Sequence, residues 1–497
     1  MCPKIRVESG GYWHEGLSPT HKSDGVTLIP THTMIEVPAA LFDLHALSLP
    51  AGLAFGDDIP IGAWRTEDSL TLAALLVNES AHRFGALIMR RREDYVWAVK
   101  QREMRSESEA AARALIETAL VEGAAPEAVP PGMPRRPSLG DLSGVTPSNI
   151  FALLANPTHH VAAWVLNQLY LALPRPDPNW ARDCQTGNFH TRLWEAHLLA
   201  CFREQGLRVT QDFPSPDFHI TNRRGGQAWI EAVTANPPIP YDHANAPPVP
   251  EPATRQERLI GPAAVRFAKT LHNKLARRYH ELPHVVGKPF AIALADFHAP
   301  ASMVWSRAAL PSYLYGQEAK IRESDGRIAA YHVDIGTLLG PESIPAGLFR
   351  SAAHAELSAV LFSNGCSISK LNRVGISGGA NPNGFRYIRF GEFFDRTPGA
   401  LNAVPFRFDV ASSEYRELWR PYPYEPWSAE LEVFHNPYAR HPIPDALLPE
   451  ATHWRMRDGE VACSAFYPWS ILRSRTLVLR ETDPIPRLED LFQSDHD

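Results

Sequence analysis

The chain has 497 residues, of which 44% are hydrophobic and 21% are charged, values typical of a globular protein with more than one domain. The formal net charge of −6 provides no overall attraction to nucleic acid, so such binding would depend on a local basic surface. No apolar run approaches the ~20 residues that cross a bilayer, and the N-terminus lacks the apolar segment of a signal peptide. The five cysteines are scattered and lack CxxC spacing, which argues against a disulfide framework and a thiolate zinc site. We therefore expect a cytoplasmic protein with no membrane partner and with reduced, mostly buried thiols.

Residues 1–122 predict a small α+β domain. Apolar segments at strand spacing, LFDLHAL among them, lead to a helical segment for which Ser106 is a suitable N-cap. The charged tracts at 90–92 and 67–68 are predicted to be solvated faces. We assign no chemistry to this accessory domain, and binding of a protein partner or of a second copy of the chain through it stays open.

Proline-rich composition marks two connections. Residues 123–140 predict a linker, because repeated prolines neither donate to a strand ladder nor continue a helix. Residues 141–445 then predict a second domain with its core at 188–300, followed by C-terminal strands and a tail at 446–497. The proline-rich segment 236–252 is long for an interior connection and predicts an exposed functional loop.

Three carboxylates occur on successive elements of this core. Glu195 lies in the helical segment FHTRLWEAHLLACFREQGL, Asp217 in the strand-like PDFHI, and Glu231 in the strand-like WIEAV. Glu231 is the strongest indication of a site, because a glutamate between apolar neighbours has to be paired or bind a cation. Asp217 is a weaker indication and Glu195 the weakest, since a solvated or hydrogen-bonded role is the ordinary one for such residues.

The order of these residues resembles the PD-(D/E)xK nuclease superfamily, which has the restriction-endonuclease-like fold. In that family a helix with a glutamate precedes a strand with the Asp of PD, a strand ending in (D/E)xK, and a further helix. The resemblance implies an α/β core with a mixed central sheet flanked by helices, here with an N-terminal α+β accessory domain. It also implies that Asp217 and Glu231, with Glu195 assisting, bind Mg²⁺ or Mn²⁺, and that residues 141–445 are a nuclease domain.

The chain departs from the family pattern at Val233, where a lysine is expected. Trp229, Glu231 and Val233 occupy every second position and therefore share one face of the strand, so no change of register supplies that lysine. In some members of the superfamily the lysine lies on the following helix. Here that helix carries Lys269 and Lys274 at the edges of its apolar stripe, and Lys274 is slightly preferred.

The same helix and the segment before it are rich in basic residues. Arg258, Arg266, Arg277 and Arg278 are predicted to contact phosphate, and such binding should weaken with salt. A solvated face of an amphipathic helix is the alternative.

The expected function is that of a Mg²⁺- or Mn²⁺-dependent endonuclease that hydrolyses phosphodiester bonds of nucleic acid, with DNA favoured over RNA as the substrate. The resemblance further implies a role in restriction or defence against foreign DNA. The alternative is a catalytically inactive nuclease-like fold that binds nucleic acid or protein. A doubly wound cofactor-binding enzyme is disfavoured, because no Gly-rich fingerprint follows a strand.

Overall fold

A computed structural model describes residues 34–53, 55–121, 125–324, 327–395 and 403–493 of the chain. Two compact units are present, the first formed by Met1–Gly187 and Leu371–Asn383 and the second by Asn188–Lys370 and Gly384–Asp497. The predicted boundary at 123–140 therefore lies within the first unit. No helix in the described ranges is long and apolar enough to cross a bilayer.

The first unit contains an antiparallel sheet whose strands neighbour one another in chain order. Helix α2 packs through Ile116 against one face of the sheet at Leu75, and helix α1 packs through Phe42 against the other face at Leu72. The elements are β1 (Ile35–Glu36), α1 (Ala39–Leu47), β2 (Ile59–Arg65), β3 (Thr71–Asn78), β4 (Arg83–Arg91), β5 (Trp97–Ser106), α2 (Glu109–Val121), α3 (Asn149–Ala152), α4 (His160–Ala172) and α5 (Trp180–Gln185).

Two local predictions for this unit are wrong. The segment LFDLHAL forms most of helix α1 rather than a strand. The alanines and leucines of this helix favour helical structure, and its buried residues lie on several sides of the helix. Helix α2 begins at Glu109, and the Ser108 hydroxyl rather than that of Ser106 accepts a hydrogen bond from the Ala111 N–H (3.2 Å).

The basic tract at 90–92 is not a solvated face, since Arg91 and Arg92 are both buried. Arg91 Nη2 donates to Gln168 Oε1 at 2.6 Å, and the guanidinium carbon lies 3.7 Å from the centroid of the Trp97 ring. Arg92 Nε donates to Asp94 Oδ1 at 2.9 Å. All three partners, Gln168, Trp97 and Asp94, lie outside the tract, so its composition alone does not reveal them.

The described part of the predicted linker is hydrogen bonded within the first unit. The Arg136 N–H donates to Asp94 Oδ2 at 3.0 Å, and its Nη1 donates to the Tyr170 carbonyl at 3.1 Å. Gln185 Nε2 donates to the Leu139 carbonyl at 3.0 Å. Prolines exclude a strand ladder here but not tertiary packing. Residues 123 and 124 lie outside the described residues.

The second unit contains the helices and strands that carry or flank the predicted site residues. Two of its cysteines, Cys201 and Cys366, are buried thiols, as predicted. Helix α10 begins in this unit and continues into Leu371–Asn383. The elements are α6 (Phe189–Glu204), β6 (Arg208–Thr210), β7 (Phe218–Thr221), β8 (Gln227–Ala235), α7 (Arg255–Ile260), α8 (Pro262–Leu275), β9 (Phe290–Asp296), α9 (Ala309–Tyr315), β10 (Gln317–Ser324), β11 (Arg327–Asp334), β12 (Ala359–Ser363), α10 (Ile368–Ser377), β13 (Phe385–Phe393), β14 (Val404–Asp409), α11 (Ser413–Glu417), β15 (Glu432–His435), β16 (Thr452–Arg457), β17 (Glu460–Ser464), β18 (Ile471–Arg480) and α12 (Leu488–Gln493).

Within the described residues, eight strands of this unit form one sheet in the order β17-β16-β15-β12-β9-β8-β7-β6. Strands β6, β7 and β8 form an antiparallel meander, and β8, β9 and β12 run parallel to one another. Strand β15 then pairs with β12 in the antiparallel direction. The prediction of a mixed sheet in an α/β fold is confirmed.

Helices cover both faces of this sheet at β8. Trp229 and Val233 point to the face where Phe267 of α8 packs. Thr234 points to the other face, where its hydroxyl lies 3.1 Å from that of Thr191 in α6. Because side chains alternate along a strand, Glu231 belongs to the face covered by α8.

Candidate active site

Asp217, immediately before strand β7, lies opposite Glu231 of the neighbouring strand β8. Phe218 of β7 pairs with Ile230 of β8, and the same register places Asp217, the residue before β7, opposite Glu231. Side chains directly opposite in an antiparallel pair share one face of the sheet. Asp217 Oδ2 accepts a hydrogen bond from the Ala232 N–H at 2.7 Å, which holds its carboxylate against β8. The structure therefore brings together the two carboxylates that the sequence favours.

Glu231 is only 4% exposed, and its two oxygens differ in their contacts. Oε1 accepts hydrogen bonds from Lys274 Nζ and from the Tyr279 hydroxyl, each at 2.6 Å. Oε2 is buried and has no hydrogen-bond partner among the described residues. A buried carboxylate oxygen without a donor is costly, so Oε2 is a suitable ligand for a cation that enters the site.

The two candidate lysines of α8 have different surroundings. Lys269 Nζ pairs with Glu342 Oε1 at 2.9 Å, and these side chains are 39% and 64% exposed. Lys274, whose side chain is 18% exposed, reaches Glu231 instead. Lys274 thus places an ammonium group beside Glu231. Val233, which stands where the family pattern has a lysine, provides no such group.

The charge around Asp217 is predominantly negative. Burial raises the pKa of Asp217 well above its ordinary value, and the charges of Glu231 and Glu195 raise it further. The hydrogen bond from Ala232 and the charge of Lys274 act in the opposite direction. Asp217 as a whole residue remains partly accessible to solvent, although its carboxyl group is largely buried. A divalent cation bound there would favour the ionised carboxylate.

Glu195 of α6 is the third carboxylate and is 5% exposed. Its Oε1 and Oε2 accept hydrogen bonds from Arg192 Nη1 at 2.9 and 3.2 Å. Its charge contributes to the raised pKa of Asp217, which places it near the carboxylate pair. Arg192 is not among the residues predicted from the sequence, although its spacing of one helical turn from Glu195 was a usable signal.

Tyr279 is a further site residue, which the sequence pattern suggests only as part of the apolar stripe of α8. The helix ends at Leu275, and Arg278 adopts a left-handed conformation (φ 53°) immediately before Tyr279. Burial and the hydrogen bond to Glu231 raise the pKa of the Tyr279 hydroxyl. The hydroxyl therefore stays protonated and donates to Glu231.

Two of the four predicted phosphate-binding arginines are already paired with glutamates. Arg258 Nε lies 3.1 Å from Glu251 Oε1, and Arg278 forms an ion pair with Glu281. The basic surface around α8 is therefore weaker than the composition of the segment predicts.

The other two arginines have different environments. Arg266 is partly buried, and its Nε has no hydrogen-bond partner within the described ranges. Arg277 is exposed, and its positive charge lowers the pKa of Tyr279. This effect is smaller than the increase in that pKa caused by burial. Arg277 is thus the predicted arginine that combines exposure with proximity to the site.

Comparisons with known proteins identify no relative. No family model matches the chain, and searches of curated proteins and of solved structures return no significant match. A functional assignment therefore depends on the geometry of the second unit.

An aromatic group continues from the carboxylates along the same face. The His219 ring stacks on Trp229 with centroids 4.3 Å apart, and the Phe213 ring stacks on His284 at 3.8 Å. The ring centroids of Trp229 and His284 are 4.7 Å apart, which joins the two stacks. Phe213 is 43% exposed and forms the outer end of this group. His219 therefore packs against an aromatic ring.

The donor set around Glu231 suits a hard cation. Mg²⁺ prefers oxygen ligands and commonly takes only one or two carboxylates, with water and substrate phosphate completing its octahedron. Asp217 and the unpaired Oε2 of Glu231 provide such oxygens. Among the described residues, however, the one group of three potential ligands within 4.8 Å lies elsewhere, so Glu195 does not complete a closed three-carboxylate cage.

Proposed function

We propose that this protein is a metal-dependent endonuclease that hydrolyses phosphodiester bonds. The observation that carries the proposal is the 2.6 Å contact between Lys274 Nζ and Glu231 Oε1, on the face that Asp217 shares. Carboxylates and an ammonium group beside one another are what phosphodiester hydrolysis requires: oxygen ligands for a cation and a positive group near the attacking water.

The order of the elements supports a restriction-endonuclease-like core. Helix α6 carries Glu195, β7 follows Asp217, β8 carries Glu231, and α8 carries the lysine. This is the order that the resemblance to the PD-(D/E)xK superfamily implies, with the lysine on the following helix. The antiparallel meander β6–β8, joined through α8 to the parallel strand β9, supplies a mixed sheet for such a core.

Asp217 and Glu231 would hold Mg²⁺ or Mn²⁺, with Glu195 assisting through its charge. When bound, the ion supplies Lewis-acid activation of water and neutralises charge that develops on the phosphate. Tyr279 donates to Glu231 Oε1 and keeps that oxygen directed toward Lys274, which leaves Oε2 for the ion.

Lys274 stabilises the nucleophile and the transition state. Its ammonium group is held beside Glu231 and donates to the attacking water or to a phosphate oxygen. The attacking water releases a proton to solvent as its oxygen forms a bond to phosphorus, the bond from phosphorus to the sugar oxygen breaks, and that oxygen takes a proton from solvent. Arg277 and Arg266 hold the neighbouring phosphates.

The aromatic group suits a nucleotide whose base is unpaired. Base stacking on aromatic side chains contributes roughly 1–3 kcal/mol per base and tolerates different sequences. Phe213 offers an exposed ring next to His284 and Trp229, and Lys288 Nζ lies 5.9 Å from the centroid of the Trp229 ring. DNA is the proposed substrate, and defence against foreign DNA is the proposed role.

Incubation of the purified protein with plasmid, single-stranded DNA and RNA, each with Mg²⁺ or Mn²⁺, tests the proposal. Cleavage that is lost in both Asp217→Asn and Glu231→Gln, and abolished by a chelator, would support it. These substitutions keep the size of each side chain, so circular dichroism should show an unchanged fold.

A binding module without catalysis is the second candidate. Its support is that Glu231 pairs with Lys274 and Glu195 with Arg192, so ion pairs compensate these carboxylates without a bound cation. Metal-independent binding of an oligonucleotide or a protein, with no cleavage of any of the three substrates, would favour this function.

A further inference from the structure

A second group of potential ligands lies toward the other end of the eight-stranded sheet. His435 ends β15, His453 lies in β16, and Asp445 begins a short turn between these strands. One ligand atom from each residue lies within 4.8 Å of the others. Three strand spacings separate β15 from β8, so the group lies about 14 Å across the sheet from Glu231.

Hydrogen bonding determines which nitrogen of His453 is available. Nε2 lies 2.9 Å from the Leu448 carbonyl oxygen, which only accepts, so the proton of the neutral ring is on Nε2. Nδ1 therefore presents a lone pair, and it lies 2.8 Å from His435 Nε2. A hydrogen bond from one ring nitrogen to a carbonyl is the usual way of orienting a metal-binding imidazole.

His435 Nε2 has two neighbours with opposite requirements. The lone pair of His453 Nδ1 requires Nε2 to donate. Arg455 Nη2, which only donates, lies 3.0 Å away and requires Nε2 to accept. One ring nitrogen cannot do both. His435 and His453 are 8% and 5% exposed, so bulk water does not relieve the conflict. A cation bound by lone pairs of both rings would relieve it.

Arg455 holds a positive charge at this place in the metal-free protein. Its Nη2 contacts both His435 and Asp445, so a guanidinium lies where a carboxylate and an imidazole lone pair meet. The side chains of Arg455 and Asp445 are 22% and 66% exposed. Both side chains reach solvent, so the guanidinium has a path outward on the side of Asp445.

We propose that His435 Nε2, His453 Nδ1 and the Asp445 carboxylate bind a divalent transition metal, zinc in particular, and that Arg455 moves outward when they do. Imidazole nitrogens favour zinc, cobalt and nickel over magnesium, which takes oxygen ligands. The ion fastens the turn Asp445–Leu447 to β15 and β16 and is separate from the proposed nuclease metal.

Titration of the metal-free full chain tests this site. Isothermal titration calorimetry with Zn²⁺ should give one ion per chain at this site, and Co²⁺ should give the visible absorption of a tetrahedral complex. Asp445→Asn should lower the Zn²⁺ affinity by about tenfold or more, and His453→Gln should abolish stoichiometric binding. Arg455→Gln should bind Zn²⁺ at least as tightly as the wild type, because the competing cation is removed.

Two controls separate this site from others. The titrations are repeated in an Asp217→Asn, Glu231→Gln background, which removes the ligands of the proposed nuclease metal and should leave Zn²⁺ binding unchanged. His441→Gln removes a histidine outside the group and should also have no effect. Absence of stoichiometric Zn²⁺ binding, or an unchanged affinity in Asp445→Asn, would overturn the proposal. Asp445 is exposed, so this result does not depend on the folding of His453→Gln.

Discussion

Lys274 Nζ lies 2.6 Å from Glu231 Oε1 and so joins the last turn of helix α8 to the middle of strand β8. The same helix carries Lys269, whose ammonium group pairs with Glu342 at the surface. Lys274 therefore pairs with a buried glutamate and Lys269 with an exposed one. The two lysines form a matched pair for mutagenesis.

Lys274→Ala should reduce metal-dependent cleavage by on the order of 100-fold or more, whereas Lys269→Ala should leave it nearly unchanged. Only Lys274 lies close enough to Glu231 to act on a water or phosphate held there. The measurement is the single-turnover rate of plasmid cleavage with saturating Mg²⁺. An equal loss in both variants would indicate that the lysines act only through the overall charge of the helix.

The ion pair should also contribute to stability. Lys274→Met leaves Glu231 with Tyr279 as its remaining hydrogen-bond donor. Glu231→Gln instead removes the negative charge of the ion pair. The double-mutant cycle should give a coupling free energy of roughly 1–3 kcal/mol, measured by urea unfolding of the metal-free protein. Strictly additive effects would mean that the two groups do not interact in solution.

The sequence is sufficient to predict strand β8 and that its glutamate is paired. An apolar run around one carboxylate predicts a buried strand, and period-two alternation correctly places Trp229 and Val233 on one face. Helical spacing likewise predicts the buried face of α8 through Ala264, Ala268 and Leu271. These predictions hold because they depend on periodicity within a single element.

The remaining features depend on contacts between segments that are distant in the sequence. Glu251, Glu281 and Glu342 neutralise basic residues of the α7–α8 segment, and composition does not indicate where they fold. The choice between Lys269 and Lys274 depends on a small rotation of α8 that the helical pattern leaves undetermined. Segment LFDLHAL is short and apolar, and periodicity alone does not distinguish helix from strand at that length.

Phe213→Ala should weaken binding of a single-stranded oligonucleotide by roughly 1–3 kcal/mol, about fivefold to 150-fold in Kd. The exposed ring of Phe213 stacks on His284 and continues the group that begins beside Glu231. Fluorescence anisotropy with a labelled oligonucleotide and Ca²⁺ in place of Mg²⁺ would measure binding without cleavage. Tyr438→Ala, at another exposed aromatic residue, is the control. Equal affinities for wild type and Phe213→Ala would exclude the stacking role.

The raised pKa of Asp217 has a defined consequence for stability. Burial raises this pKa, with Glu231 and Glu195 adding to the effect, so the folded protein binds a proton more tightly than the unfolded chain does. The stabilising effect of that proton is complete below the ordinary carboxyl pKa, near 3.9, and is lost as the pH rises through the higher folded value. At neutral pH without metal, the buried Asp217 carboxyl group therefore destabilises the fold relative to low pH.

Asp217→Asn should consequently raise the melting temperature of the metal-free protein at pH 7 by about 2–4 °C, with the gain disappearing toward pH 4. Asparagine retains an oxygen for the hydrogen bond from Ala232 but not the charge. Adding Mn²⁺ should stabilise the wild type and not the variant, because the ion binds the ionised carboxylate. Differential scanning calorimetry across this pH range would measure both effects, with Asp212→Asn, at an exposed neighbouring aspartate, as the control. A variant less stable than wild type at pH 7 without metal would contradict the electrostatic origin assigned to the Asp217 environment.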